Sequence, residues 1–596
     1  MSLCEVSDAR RNQVASDARQ DEIALDAILA AAAPLAARGA LGERALERIL
    51  RRHPKRGRGF YSKHDLIARV RSRAGGSTAS DAEQSLLEQL VKKPVRTLSG
   101  VAPVTVLTRP YPCPGECIFC PSDVRMPKSY IASEPGCQRA EANAFDPYLQ
   151  TWNRLRAFHG NGHRVDKVEL LVLGGTWSFY PEEYRRWFIL RCFEALNDFG
   201  AGRDRRAAAL RYPPVVATEG SLARGRYNRM VSRALRADGA AAASLLWPWE
   251  CAAWEELQGA QRENETSACR CVGLVLETRP DHVSEAEVLC LRRLGATKIQ
   301  IGAQSLSDEI LRKNRRGHDV AASRRALRLL RATGFKLQVH WMANLYGATP
   351  AGDTADFELL FSDPDFRPDE IKLYPCSLIE SAELMRFYQR GQWRPYTDSE
   401  LLSVVTHCLA AVPRYCRVNR VIRDIPGTEI AAGSGVTNLR ETAERELRAR
   451  GVPLRDIRAR EIRAERVDAA ALQLHEENYA TSTAREVFLE FVTPDDRIAA
   501  FARLSLPEKT CFLEELAGAA LLRELHVYGA VAGFGEREMA KAQHAGLGRR
   551  LVHAAVARAR ASGYRTLSVI SAVGTRGYYR ALGFRDGELY QHLALD

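Results

Sequence analysis

The stretch RPYPCPGECIFCPSDVRMPKSY, residues 109–130, sets Cys113, Cys117 and Cys120 within eight positions, between prolines, with no fourth cysteine close by. Thiolates in C-x-x-x-C-x-x-C spacing suit zinc or an iron–sulfur cluster. A structural zinc site usually supplies its fourth Cys or His at short spacing. None follows Cys120 within the loop, and His159 and His163 belong to another segment. Three ligands on a centre that takes four leave a position open. Iron has a use for it, because a second molecule can bind there.

Outward from this loop the chain alternates short apolar runs with helical ones. VAPVTVLT (101–108) delivers the cysteines as a strand, and KVELLVLGGTW (167–177) is a buried strand ending in Gly174–Gly175. VGLVLETRP, KIQIGAQS, FKLQVHWM and EIKLYP follow as further strands, with helical segments such as SEAEVLCLRRLG and VAASRRALRLLRATG between them. This alternation predicts a parallel α/β barrel or partial barrel over 96–422, interrupted by an Ala/Arg-rich helical insertion at 201–262. Ligands of such sheets sit at the carboxyl ends of strands. The cysteine loop, Gly174–Gly175, Glu277, Arg279 and Gln304 all fall there. Residues 423–454 read as a linker and helix.

After 455 the pattern changes to a small α+β domain reaching 596. EVFLEFVTPDDRIAAFARLSL is a hairpin turning at Thr493–Asp496, AALLRELHVYGAV a strand, GLGRRLVHAAVARARASG a helix and YRTLSVISAVG a strand. Gln543, Gly546 and Gly548 lie between a strand and a helix. Such a turn exposes backbone N–H groups at a helix N-terminus, a pyrophosphate site.

The formal net charge of +13 favours a polyanionic partner. Residues 1–95 read as helical, and Arg51, Arg52, Lys55, Arg56, Arg58, Lys63, Arg69, Arg71 and Arg73 crowd near Phe60 and Tyr61. Basic residues interleaved with aromatics suit phosphate neutralisation and base stacking. No apolar run is long enough for a membrane helix, and the first residues lack a signal-peptide core, so a cytoplasmic protein is expected. The other cysteines, Cys269 and Cys271 among them, read as buried packing residues.

The cysteine loop, with Phe119 before its last thiol and the Gly-Gly turn beyond the next strand, resembles the radical S-adenosylmethionine (SAM) superfamily. The later order of RELHVYG, QHAGLG and GYYRALGF is similar to that of GNAT acetyltransferases. Together with SEPGCQRA, NETSACRCVGLVLETRPD, IGAQSLSDEILRKNRRGH, FRPDEIKLYP and VIRDIPG, these strings resemble the family of the Elongator catalytic subunit and its single-chain relatives, over about 100–596. The resemblance implies a radical SAM partial barrel followed by a GNAT domain. The enzyme it implies uses acetyl-CoA and a SAM-derived radical to place a carboxymethyl group on carbon 5 of the tRNA wobble uridine.

Carried onto this chain, the resemblance implies a [4Fe–4S] cluster on Cys113, Cys117 and Cys120, with SAM as the missing fourth ligand. Gly174, Gly175, Glu277, Arg279 and Gln304 would contact SAM. Lys167, Glu524, Leu525, His526, Val527, Gln543, Gly546, Leu547, Gly548, Arg549 and Tyr579 would contact acetyl-CoA, with Lys167 and Tyr579 catalytic and Tyr578 a packing residue. The expected partners are the tRNA anticodon stem-loop and an electron donor, without other Elongator-type subunits or a membrane; a homodimer is allowed. The 201–262 insertion departs from the eukaryotic pattern. So do Asp456 and Ala459, where some relatives carry zinc-binding cysteines, and no such zinc is expected. The rival readings are a protein lysine acetyltransferase with a structural iron–sulfur cluster and an RNA-binding scaffold without turnover.

Overall fold

The structure, a computed structural model, describes residues 3–55, 59–74, 80–97, 99–123, 125–209, 247–435, 438–463, 467–528 and 546–595, and their side chains except those of 3–16, 74 and 81. Gln543, Arg56, Arg58 and most of the 201–262 insertion lie outside the described residues. Two compact units emerge, Met1–Thr97 with Asn153–Val165, and Leu98–Trp152 with Asp166–Asp596. The first unit thus takes in a segment that the sequence reading gave to the barrel. Among the described residues, no helix is long and apolar enough to cross a membrane.

The first unit is built on helices α1 (Leu3–Ala37), α2 (Glu43–Arg52), α3 (Lys63–Ala74) and α4 (Asp81–Leu90). Apolar residues at helical spacing, such as Leu46 and Ile49 of α2, join Ile28, Leu29, Leu66, Ile67, Val70, Leu86 and Leu90 in one core. Ser80 and Glu83 form a capping box that starts α4. The basic run is less available than its sequence implies. Arg69 forks onto Asp26 at 2.9 and 2.6 Å and reaches Glu22 at 3.3 Å. Arg51 pairs with Glu47, Lys55 with Asp65, and Arg71 donates to the His159 carbonyl. Tyr61, expected to stack bases, is buried and donates to Asp21, whereas Phe60 is exposed.

The second unit opens with seven parallel strands in the order β1 (Ala102–Leu107), β2 (Lys167–Leu173), β3 (Arg270–Thr278), β4 (Lys298–Gln304), β5 (Lys336–Ala343), β6 (Glu370–Pro375) and β8 (Arg417–Arg420). This is an open half-barrel, since β1 and β8 do not pair. Strands β7 (Leu378–Ile379) and β9 (Ile430–Ala432) make a small separate sheet. Strand residues alternate between faces. Val168, Leu170, Val172, Ile299, Ile301, Leu337, Val339, Trp341, Ile371 and Leu373 form a fully buried outer face.

The alternate positions carry Lys167, Glu169, Lys298, Gln300, Lys336, Gln338, His340, Glu370, Lys372 and Tyr374. They face the concave side. Lys298 reaches Glu169 at 2.8 Å and Glu370 at 3.3 Å, in each case across an intervening strand, and Lys372 donates to Gln300 across β5. Bonds between next-nearest strands, about 10 Å apart, close only over a concave surface. Lys167, Glu169, Leu171, Leu173, Lys372 and Tyr374 are only half-buried. The half-barrel therefore encloses a polar lumen, buried at Lys298, Gln300, Gln338, His340 and Glu370.

A second, mixed sheet has the order β10 (Gln473–Ala480), β11 (Ala484–Val492), β12 (Ile498–Pro507), β13 (Ala520–Val527), β14 (Thr566–Val569), β16 (Gln591–Ala594) and β15 (Arg585–Asp586). Its neighbours are antiparallel except β13 and β14, which run parallel and pair over only Ala520–Leu522. Among the strands of the described residues, Glu524–Val527 pair with β12, so β13 and β14 splay apart beyond Leu522.

The mixed sheet docks against the amino ends of the barrel strands. A Cβ on Gly574 would lie 2.7 Å from Arg270 Cβ and 2.8 Å from the Cys271 carbonyl, at the start of β3. Arg292 donates to the Ser571 and Leu589 carbonyls at 2.7 and 3.0 Å, and the Tyr590 hydroxyl to Thr333 at 2.7 Å. Arg523 of β13 meets Asp369 beside β6 at 2.5 Å and Glu486 at 3.0 Å, all three side chains buried.

Candidate active site

The carboxyl ends of β1–β4 and the loops beyond them surround a hollow lined by Cys113, Cys117, Cys120, Gly175, Thr176, Glu277, Arg279, Gln304 and Arg316, among others. The structure thus brings together the three cysteines and four of the five residues expected at SAM. Gly174 adjoins them. The two glycines bend β2 away, with φ of 123° and 55°. At Gly174 a Cβ would come within 2.2 Å of Thr108 Oγ1, so no side chain fits.

The thiols do not share one environment. Cys113 accepts from the Gly115 N–H at 3.4 Å and lies 3.5 Å from Thr176 Oγ1. Cys117 accepts from Arg316 Nη1 at 3.2 Å, with Arg279 Nη1 at 4.0 Å. The hydrogen bond from the Cys120 thiol, then Arg316 and Arg279, hold Cys117 below the usual thiol range, against its burial. As the donor of that pair Cys120 is pushed up; its sulfur lies 3.1 Å from Ser129 Oγ. Gly115 makes room for Arg279, whose Nη1 would sit 2.3 Å from a Cβ there.

This donor set fits an iron–sulfur cluster carrying SAM. Among the described residues, no three His, Cys, Asp or Glu side chains are grouped to hold a single ion. The thiols instead line the wall of a common hollow, as the corners of a cluster require. Two guanidinium groups stand where thiolate charge gathers. Gln304, held at φ 72°, has a buried Oε1 that takes no hydrogen bond among the described residues, a ready acceptor for an ammonium group. Glu277 has its pKa raised by burial, partly offset by Lys372, Arg423 and Arg316. Arg316, Thr176 and Ser129 were missed by the sequence reading. Arg316 lies 199 positions from Cys117, beyond any local spacing signal.

Of the residues expected at acetyl-CoA, Glu524–Val527 lie on the splayed strand and Gly546–Arg549 at the helix beside it. Gly546, with φ 68°, caps the helix Leu547–Ala561 in the left-handed region. A Cβ on Gly548 would lie 3.7 Å from Val527 Cγ2, 3.8 Å from Leu525 Cδ2 and 2.8 Å from the Tyr578 hydroxyl. Leu547 is buried, and Arg549 is close enough to act on Tyr578. Tyr578, read as a packing residue, is 43% exposed and stands over Gly548. Tyr579 is buried, edge-on to Phe584 at 5.5 Å, and its pKa is raised by burial. His526 is half-buried beside Phe501 and Tyr528, and desolvation lowers it to about 4. The Glu524 carboxylate is committed to Lys336 of β5 and to Arg503 at 2.8 Å. Against burial, Lys336 and then Arg503 hold its pKa down. Lys167 opens β2, at the opposite end from the glycines.

Cys251, read as buried, is exposed; the remaining described cysteines outside the triad are buried, or half-buried at Cys511.

A family model described as the Radical_SAM C-terminal domain matches residues 368–449. The tRNA uridine(34) acetyltransferase of Methanocaldococcus infernus is 34% identical over 524 residues, covering 85% of this chain and 88% of that protein. The protein of the same name from Dehalococcoides mccartyi is 35% identical over 515 residues, 84% of this chain and 100% of that one. Human Elongator complex protein 3 is 33% identical over 518 residues, 84% and 85% of the two chains. Among solved structures, the archaeal Methanocaldococcus infernus Elp3 with an N-terminal deletion matches 83% of this chain and 99% of its own, with TM-score 0.64 and 32% identity.

Proposed function

Because this chain belongs to the family of the tRNA uridine(34) acetyltransferases and Elongator complex protein 3, we propose that it adds a carboxymethyl group, drawn from acetyl-CoA, to carbon 5 of the tRNA wobble uridine. Cys113, Cys117 and Cys120 would hold a [4Fe–4S] cluster, with Gly174, Gly175, Glu277, Arg279 and Gln304 around the SAM on its open iron. When bound and reduced by an electron donor, that pair supplies a 5′-deoxyadenosyl radical able to take hydrogen from the acetyl methyl group. The chain's own residues do the rest. Arg279 and Arg316 would offset thiolate charge, and Gln304 Oε1 would accept from the amino group of SAM.

The observation that carries this reading is the polar lumen. The residues proposed for acetyl-CoA lie at the amino ends of the barrel strands and the cysteine hollow at their carboxyl ends. The seven residues of β2 separate Lys167 from Leu173 by roughly 20 Å. Half-buried Glu169 and Leu171 lie between them on the concave face, beside the buried Lys298, Gln300, His340 and Glu370, and the acyl end of CoA would have to pass among these side chains. Lys167 would meet CoA where it enters the barrel, and Tyr579 would steady the thioester end from the GNAT side. Since the Glu524 carboxylate is engaged by Lys336 and Arg503, Glu524–Val527 would meet CoA through backbone groups and not through that carboxylate. The loop at Gly546–Arg549, with Gln543, would take the pyrophosphate.

The test is tRNA-stimulated acetyl-CoA hydrolysis, followed by SAM cleavage after anaerobic reconstitution. Lys167→Ala and Tyr579→Phe are each expected to lower hydrolysis roughly ten- to a hundredfold, the loss of one charge-assisted contact, with tRNA affinity nearly intact. Wild-type hydrolysis by Lys167→Ala would confine CoA to the GNAT domain. SAM cleavage indifferent to acetyl-CoA and tRNA would refute the proposal.

A further inference from the structure

Trp247 and Trp249 stack almost parallel, with ring centroids 5.0 Å apart and planes 6° from coplanar. Indole pairs of this kind are normally buried, yet Trp247 is 38% exposed. The pair is fixed in place. Glu250, 3% exposed, accepts the Trp247 backbone N–H at 2.8 Å and Arg109 Nη1 at 2.7 Å, and its own N–H donates to the Trp247 carbonyl at 2.9 Å. Arg109 stands four residues before Cys113. Its N–H donates to the Tyr184 hydroxyl at 3.3 Å, and its carbonyl accepts from the Tyr180 hydroxyl at 2.9 Å. Tyr180 in turn lies beneath Gly175, 3.7 Å from where a Cβ would be. The exposed indole is thus tied through Glu250, Arg109 and Tyr180 to the wall of the cysteine hollow, at the carboxyl-end mouth of the half-barrel.

We propose that the Trp247–Trp249 pair is a stacking platform for an unpaired RNA base next to the one that enters the hollow. This rests on the tRNA reading above and adds to it a contact that lies in none of the sequence strings carrying the family likeness. A base that reacts inside the hollow has to leave its stack, and its loop neighbours lose a stacking partner with it. A rigid indole replaces that partner without ordering cost, because Trp249 and the Glu250 clamp already hold it flat. The chemistry asked for is a π face irrespective of base identity. Affinity gained here is therefore independent of salt, unlike phosphate contacts.

The full-length protein is titrated with a fluorescent anticodon stem-loop RNA and with a fully paired RNA duplex of the same length, at several salt concentrations. Trp247→Ala and Trp247→Leu, the latter keeping apolar bulk without a π face, are expected to weaken stem-loop binding roughly five- to a hundredfold. Duplex affinity and the slope of affinity against salt are expected to stay as in the wild type. Trp247→Phe should retain most of the binding. Wild-type stem-loop affinity in both the Ala and Leu variants overturns the assignment while leaving the tRNA reading intact, and would hand the exposed indole to a protein partner. Equal loss for stem-loop and duplex overturns it as well. A wild-type protein that binds neither RNA overturns the tRNA reading, and this inference with it.

Discussion

Replacing Lys336 by Met should loosen the acetyl-CoA strand from the barrel. Lys336 lies between two carboxylates, Glu370 of β6 at 2.9 Å and Glu524 of β13, with side-chain exposures of 5% and 9%. Methionine keeps the length and removes the charge. Glu524 would retain Arg503 at 2.8 Å, and Glu370 would retain Lys298 at 3.3 Å and Gln338 at 3.1 Å. Breaking a buried pair costs about 3–5 kcal/mol, and the retained partners bring this toward about 2–3 kcal/mol. Spent at Glu524–Val527, that raises the acetyl-CoA dissociation constant roughly thirty- to a hundredfold. The assay is calorimetric titration with acetyl-CoA, with tRNA affinity as the control expected to stay unchanged and Lys336→Arg expected to restore binding in part. A double-mutant cycle with Glu524→Gln should give a coupling of more than about 1 kcal/mol. Strict additivity in that cycle, or wild-type acetyl-CoA affinity in Lys336→Met, would refute the reasoning.

Asp369 has a pKa of about 2, because Arg523 and then Arg503 outweigh its burial. A carboxylate depressed on folding stabilises above its unfolded value and loses that contribution as pH falls through the folded one. About 2–3 kcal/mol should therefore disappear between roughly pH 4 and pH 2. Asp369→Asn should flatten that segment of an acid titration followed by tryptophan fluorescence, and an unchanged curve would contradict the assignment. The two glycines after β2 should differ: Gly174→Ala meets Thr108 Oγ1 at 2.2 Å and Pro127 at 3.2 Å, at φ 123°, whereas the nearest atom to a Cβ on Gly175 is 3.7 Å away at φ 55°. Denaturant midpoints should place Gly174→Ala more than about 2 kcal/mol below the wild type and Gly175→Ala about 1 kcal/mol below.

The barrel strands β1–β6 were legible because a strand's apolar face is written at alternate positions of one short run: KVELLVL and FKLQVHWM name their elements without any partner. The cysteine loop and the glycine pair were legible for the same reason, since cluster geometry and a sharp turn are satisfied within a few positions of one another. The polar half of each strand was present in the sequence too. Nothing local said that Lys298, Gln300, Glu370 and Lys372 face one lumen, because their contacts cross intervening strands and depend on curvature. The basic run shows the opposite error, for composition counts Arg69 and Arg71 as phosphate ligands while Asp26 and the His159 carbonyl already hold them. Local spacing thus determined the elements and the thiolate set. Only the tertiary structure decided which charges are spent, that Arg316 and Gln304 meet Cys117 in one hollow, and that the splayed strand docks at the far end of the barrel from the cysteines, because those pairings join residues tens to hundreds of positions apart whose distance is fixed by packing.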